Sequence, residues 1–524
     1  MKLPSSWPLF ITFLSLLAAD QSIGARSGAS ASLRLKSRSS PAVDDPAHAA
    51  HALFHPSFTE YADPPEMIED GVCIPDWEAS LNVVGLSAII CVILVIALLV
   101  PCFVIVRAPA NDKEAVNGAP SYGSTASSSS TAAPREKRPL ILPLDGMRTV
   151  LVTYVVLIHN PLSVSETVQP FIIEGWPMQF FFVLSGFVQR YVIEGKLLYF
   201  DRKSAVKAVI RRFARLAPLY WLAMAVTFCF ILLTGIQCTT PQCRPLIAWP
   251  MNALFLQGLM PMRVCTMSDV WIGNGFMQFG ANGSGWFTAC LIWIAICYPG
   301  LHNLVSRCYK SQLLCIGALV AVLTLRMVPE ILRPAWSEYG APNGVLHLYS
   351  FAPVRLLEFL SGMLAAQAVT NLPDCLKKWQ FWGWIFDAMM ILSIAAVGIS
   401  AKYFGNDQHY SGEYYLSSCW CILCALAALA APHGGCGLLH RILGSWPLVT
   451  MAGFSYATYI MHGAIGSVLR WKDEHLVYFP MGLISVWLAG YFFAVTIERP
   501  VQRFVEVQLG FRAAATAESK AAES

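Results

Sequence analysis

Charge is scarce in this chain. Asp, Glu, Lys and Arg make up 13% of its 524 residues, about half the share found in an ordinary soluble domain. With 56% hydrophobic residues and a mean hydropathy of +0.53, that scarcity excludes a soluble globular protein and implies a polytopic membrane protein. The formal net charge is only +4, too little to argue for a nucleic-acid partner. A zinc framework is missing too. There are 16 cysteines, but no Cys-x-x-Cys pair recurs as a metal site requires. Most cysteines lie inside apolar runs, as Cys419, Cys421 and Cys424 do, and read as small hydrophobes. We therefore expect no metal.

Long apolar runs are what the chain does have. Residues 1–25 join a basic start at Lys2 to an apolar core from Leu9 to Ala19, with small residues near Ala25. That reads as a signal peptide, with an uncleaved anchor as the alternative. Residues 26–78 form a polar, lumenal or extracellular segment of low order. A transmembrane helix is expected over 79–107, where Leu81 to Val106 carries no charge and Arg107 ends the run. A flexible cytosolic linker (108–140) follows, with serine-rich residues 123–130 and the basic Arg135, Lys137 and Arg138.

From 141 to 511 ten spans are expected. They lie near 144–162, 171–190, 214–235, 286–305, 312–328, 350–370, 381–400, 414–431, 447–468 and 477–497. The fold class is thus all-α: a ten-helix core preceded by one extra transmembrane helix and the signal-like segment. Residues 512–524 form a disordered cytosolic tail. Pro245 to Leu259 is apolar but short and broken by proline, so a re-entrant or interfacial helix is expected there.

Positive residues give the orientation. Arg135/Arg138, the cluster Arg202 to Arg215, Arg307/Lys310, Lys377/Lys378, Arg441 and Arg499/Arg503 fall on one side, the cytosol; Arg470 and Lys472 are the exceptions. The other side carries the loop 236–285, with Cys238, Cys243, Cys265 and the glycosylation sequon at Asn282. Together with Cys73, four lumenal cysteines allow three pairings; Cys238–Cys243 is favoured.

Five groups of residues can carry chemistry. Arg148 and His159 share one apolar stretch with ten uncharged residues between them. Eleven helical steps cover about 16 Å and close to three turns, so both side chains lie on one face. An intramembrane cation and a titratable base are a functional-site hypothesis by default. A plain alternative is that Arg148 snorkels to lipid phosphate and His159 bonds a neighbouring helix. The second group is Phe181, Phe182 and Leu184 to Phe187, where Ser185-Gly186 permits close helix approach. The third is Arg212 and Arg215, three apart on one face, either a phosphate grip or a topogenic basic loop. The fourth is Arg355 and Glu358, which can neutralise each other at i, i+3. The last is Ser455, Tyr456, Tyr459 and His462, with His462 on the face of Ser455 and Tyr459.

Taken in order, these segments resemble acyltransferase family 3, a family of integral membrane enzymes. The match runs through Leu144-Asp145-Gly146, Arg148 and His159, then Phe181 to Phe187, then Arg212, Arg215, Pro218, Tyr220 and Trp221. It continues through Arg355, Glu358, Phe359 and Gly362 to Ser455, Tyr456, Tyr459 and His462, and closes at Glu498-Arg499-Pro500. The resemblance implies ten core helices and transfer of an acyl group, usually acetyl, from an acyl-CoA co-substrate. The acceptor it implies is a hydroxyl of a carbohydrate or another molecule across the lipid bilayer. Arg148, Arg212 and Arg215 would hold the CoA phosphates, and His159 with Arg148 would be catalytic. Asp145, Ser185, Arg355, Glu358, Tyr459 and His462 would line or brace the cavity.

One departure stands out. Many members carry Trp-Ser-Leu-x-x-Glu at the fourth core span, whereas here Trp286 is followed by Leu291 where that glutamate would be. No Gly-Asp-Ser esterase-like module is recognised, so the acceptor is expected to reach the membrane core itself or to be served by a relay protein. A non-catalytic transporter-like or receptor-like protein on the same fold is the rival reading. A secretory-pathway membrane is the expected location.

Overall fold

The computed structural model describes residues 140–159, 176–194, 199–234, 252–259, 284–308, 311–338, 350–404, 413–433, 437–468 and 479–509. They all belong to one unit, Glu60–Ser524; a second unit, Met1–Thr59, lies wholly outside them. The expected signal peptide, the 79–107 helix, the linker, the tail, Asn282, Cys238 and Cys243 also lie outside the described residues.

Among the described residues the secondary structure is helical, with no strand. The long helices are α1 (Leu142–Ile158), α2 (Trp176–Glu194), α3 (Arg202–Thr234), α4 (Gly285–Cys308), α5 (Gln312–Glu338) and α6 (Ala352–Asn371). They continue with α7 (Trp382–Phe404), α8 (Glu413–Ala430), α9 (Ser455–Val468), α10 (Phe479–Phe493) and the amphipathic α11 (Arg499–Gln508). Each of the ten expected stretches overlaps helical structure among the described residues. The ninth is broken, because Trp446–Ala452 stops at Gly453 and α9 begins at Ser455. Among the described residues three helices are long and apolar enough to cross a membrane by length and composition: Gly285–Arg307, Trp382–Ile399 and Met481–Gln508.

Local chemistry starts several helices. Pro143 and Pro353 stand in the first turns of α1 and α6, where a missing N–H costs nothing. Asp201 caps α3: its carboxylate accepts the backbone N–H of Ser204 at 3.0 Å. Hydrogen bonding from Ser204 holds that carboxyl below the usual aspartate range. At about 50 Å, α3 is longer than the ~30 Å hydrocarbon core of a bilayer, and its first turns carry Arg202, Lys203, Lys207, Arg211 and Arg212.

Helix α6 sits at the centre. It packs against α2, α4, α5 and α8, and 16 of its 20 residues are buried, so neighbouring helices cover most of its circumference. By contrast, α7 and α10 leave Ile391, Leu392, Met481 and Leu488 more than half exposed, as a lipid-facing surface does. The α2–α6 crossing is the closest kind. A Cβ at Gly186 would stand 1.9 Å from the Phe359 carbonyl oxygen, and one at Gly362 would stand 2.0 Å from that of Val183. The two glycines let each backbone lie against the other. Gly186→Ala must push the helices apart. We expect a loss of about 1–3 kcal/mol, read as a lower Tm of the purified protein in detergent; an unchanged Tm would refute this account of the crossing.

Residues 252–259, the described end of the expected re-entrant segment, are helical at 252–253, turn at 254–255 and close in a 3-10 turn at Leu256–Leu259. Phe255 adopts φ 61°. Side chains satisfy this irregular backbone: Tyr220 donates to the Asn252 carbonyl (2.8 Å), Trp221 to Ala253 (3.0 Å) and Trp293 to Phe255 (2.9 Å). Irregular backbone at membrane depth requires such partners.

Candidate active site

Five helices surround one cavity. Arg148 and Val152 come from α1, Phe181, Leu184 and Ser185 from α2, Arg212, Arg215 and Leu216 from α3, Phe287 and Leu291 from α4, and Ser455, Tyr456 and Tyr459 from α9. Three guanidiniums therefore converge on one space from two helices. Arg148 is paired with Asp145 one turn earlier, at 3.3 Å, the orienting contact expected of residues three apart. Arg215 is paired with Glu498 at 3.3 Å. Among the described residues no carboxylate lies within ion-pair reach of Arg212. A cavity edged by three arginines and two carboxylates is suited to a polyanion.

Beyond the arginines the wall is aromatic. Phe181 and Phe287 have ring centroids 6.0 Å apart, and Phe287 and Tyr459 5.2 Å. Tyr459 leads to His462 at 5.6 Å, and His462 to His159 at 5.0 Å. Packed rings thus link the arginine end of α1 to its histidine end. His159 is exposed at the end of α1, and its Nδ1 lies 2.8 Å from the Val155 carbonyl. A carbonyl only accepts, so Nδ1 carries the proton and Nε2 of the neutral ring keeps its lone pair. His462 is buried and its Nδ1 donates to the Tyr459 carbonyl, which fixes the same tautomer. Two neutral imidazole rings of the same tautomer therefore lie side by side, at 5.0 Å between centroids.

The expected residues divide into three groups. Arg148, Arg212, Arg215, Ser185 and Tyr459 line the cavity, with Asp145 bonded to Arg148. His159 and His462 continue its wall without lining it. Ser185 faces the cavity while its neighbour Gly186 makes the helix crossing. Arg355 and Glu358 stand apart, fully buried. Glu358 Oε1 accepts from Arg355 at 2.7 Å and from Arg326 of α5 at 2.7 Å. Arg355 also lies over the Phe182 and Trp286 rings, at 5.6 and 5.5 Å.

Arg326 escaped sequence reasoning because its acid lies on another helix. The available signal was an arginine that ends the uncharged run Gln312 to Leu325. Tyr456 was singled out, and its hydroxyl donates to the Leu216 carbonyl at 2.7 Å, tying α9 to α3 across the cavity. Leu291 faces the cavity, so an apolar side chain occupies the wall there. The sequon's Ser284 is buried at the start of α4 and donates to the Ile460 carbonyl at 3.4 Å. Cys290, Cys421 and Cys424 are buried free thiols; Cys290 donates to the Ser350 carbonyl at 3.0 Å and Cys421 to the Ser361 hydroxyl at 3.3 Å. Among the described residues no group of three or more His, Cys, Asp or Glu is placed to hold a metal ion.

A family model described as an acyltransferase domain matches residues 141–498, well over half of the chain and all five cavity-forming helices. No curated protein and no solved structure matches the chain.

Proposed function

The chain belongs to acyltransferase family 3, a family of membrane transferases, and from that premise we propose that it is an acyl-CoA-dependent O-acyltransferase. The observation that carries this reading is the convergence of Arg148, Arg212 and Arg215 on a cavity whose aromatic wall runs on to the His462–His159 pair. In this reading acyl-CoA, with acetyl as the favoured acyl group, enters from the cytosol. The three arginines hold its phosphates, and the pantetheine arm spans the ~16 Å along α1 to His159. The acceptor is a hydroxyl of a carbohydrate or another molecule at the lumenal or extracellular side. The protein is a multi-pass membrane protein of the secretory pathway.

The chemistry is a direct transfer. His159 Nε2 takes the hydroxyl proton as the oxygen attacks the thioester carbonyl. An oxygen–carbon bond forms and the carbon–sulfur bond breaks. The departing thiolate then recovers the proton from the imidazolium. Holding both reactants in one cavity supplies much of the rate.

Labelled acetyl-CoA offered to the purified full-length protein tests the reading. We expect transfer to a hydroxyl acceptor, and a rise in KM for acetyl-CoA of about tenfold for Arg212→Gln, the size of one lost charge-assisted phosphate contact. A transporter-like function is the second reading, favoured by Leu291 on the cavity wall where many family members carry glutamate. Uptake of a labelled solute with no acetyl-CoA consumed would establish it and overturn ours.

A further inference from the structure

Glu498 has no part in the transfer chemistry, yet its carboxylate sits on the cation cluster of the cavity. The residue is 5% exposed. Oε1 accepts from Arg215 Nε at 3.3 Å, and the buried Oε2 has no hydrogen-bond partner among the described residues. A half-satisfied buried carboxylate is costly. The pair is also loose. Charge-assisted bonds settle at about 2.7–2.9 Å, as both Glu358 contacts do at 2.7 Å. The Arg215 side chain remains 39% exposed, facing the cavity.

The backbone is built around this carboxylate. Between α10 and α11 the helix widens into a π-turn over Ala494–Glu498, which ends on Glu498. A π-turn shifts the register by one residue, about 100° of rotation, and such turns concentrate at functional sites. Helix α11 then docks on the first turns of α3, with Arg211 3.9 Å from Glu506 and Lys207 donating to the Leu509 carbonyl at 3.0 Å. Glu498 is thereby anchored beside Arg215 from both sides.

We propose that Glu498 is a placeholder anion, which holds Arg215 while no ligand is present and yields it to a phosphate group of the arriving ligand. The inference rests on the reading of the arginines as phosphate-binding groups. A phosphate and a carboxylate on one guanidinium repel each other, so the weaker, monodentate partner gives way. Binding is then weakened by the fraction of time Glu498 occupies Arg215. The same competition returns Arg215 to Glu498 as the product leaves, which hastens release.

Binding of CoA and of inorganic pyrophosphate to the purified full-length protein tests this. Glu498→Gln keeps the shape and removes the charge, and both probes should bind about tenfold more tightly, as expected if Glu498 holds Arg215 roughly nine-tenths of the time. Glu498→Asp withdraws the charge by one methylene and should act in the same direction by less. It decides the matter alone if Glu498→Gln fails to fold. Adding Arg215→Gln to Glu498→Gln should abolish the gain. If Glu498→Gln or Glu498→Asp binds pyrophosphate no better than wild type, or worse, the placeholder is wrong. CoA binding by the wild type would then leave the donor reading standing. If pyrophosphate binding tightens while no variant binds CoA, the placeholder stands and the acyl-CoA reading falls.

Discussion

Replacing His159 by alanine will lower the rate of acyl transfer by about 10²–10⁴-fold, the range a positioned general base contributes. The residue ends α1, exposed, with Nδ1–H committed to the Val155 carbonyl at 2.8 Å. Its free Nε2 is the only ring atom left to accept the acceptor's proton. The arginines that would hold CoA lie about three helical turns away, so the loss should fall on kcat. The KM for acetyl-CoA should stay within about threefold, since uniform binding is untouched. His462→Ala should cost less, about tenfold, because His462 packs beside His159 and acts through it. The assay is transfer from labelled acetyl-CoA by variants whose Tm matches wild type. A His159→Ala protein with kcat within about twofold of wild type would end the general-base assignment.

Replacing Glu358 by glutamine will destabilise the fold by about 3–5 kcal/mol, the cost of breaking a buried ion pair by removing one partner. Glu358 Oε1 is the shared acceptor of Arg326 and Arg355, and all three residues are at most 1% exposed. Without the carboxylate two guanidiniums remain in an apolar interior next to one another. The triad also joins α5 to α6, so the damage reaches a helix contact as well as an ion pair. Arg326→Met should be milder, because it leaves Arg355 and Glu358 as a neutral pair and fills the space with apolar atoms. Thermal unfolding in detergent and the yield of monodisperse protein report the difference. If Glu358→Gln matched wild type in Tm, or if Arg326→Met were the worse of the two, the triad would not hold the α5–α6 contact.

Much of the site was legible because its residues are local exceptions to an apolar rule. Arg148 and His159 stand out in and at the end of α1, Arg212 and Arg215 in the first half of α3, and Tyr459 and His462 on one face of α9. Helical periodicity alone put each pair on one side of its helix. The Arg355–Glu358 pair was legible for the same reason, at i, i+3. Its place was not. Nothing in its spacing separates a pair lining the cavity from one buried behind it, and the outcome turned on which face of α6 met α5. Arg326 shows the limit most clearly. Its sequence offers Glu330 at i+4, yet Glu358, the acid it meets in the core, lies 32 positions along the chain.

By itself the sequence determined the membrane character, the succession of apolar helices and the polar residues that interrupt them. These follow from hydropathy and from a repeat of 3.6 residues, both read within one segment. Only the tertiary structure decided which interruptions meet. It gathered three arginines from α1 and α3, set His462 of α9 against His159 of α1, and placed Glu498 on Arg215 across 283 positions. Those juxtapositions come from the packing of small residues, as at Gly186 and Gly362, and from a π-turn that shifts one helix by a single residue. Neither effect leaves a periodic trace in the chain, because each depends on the shape of the partner it meets.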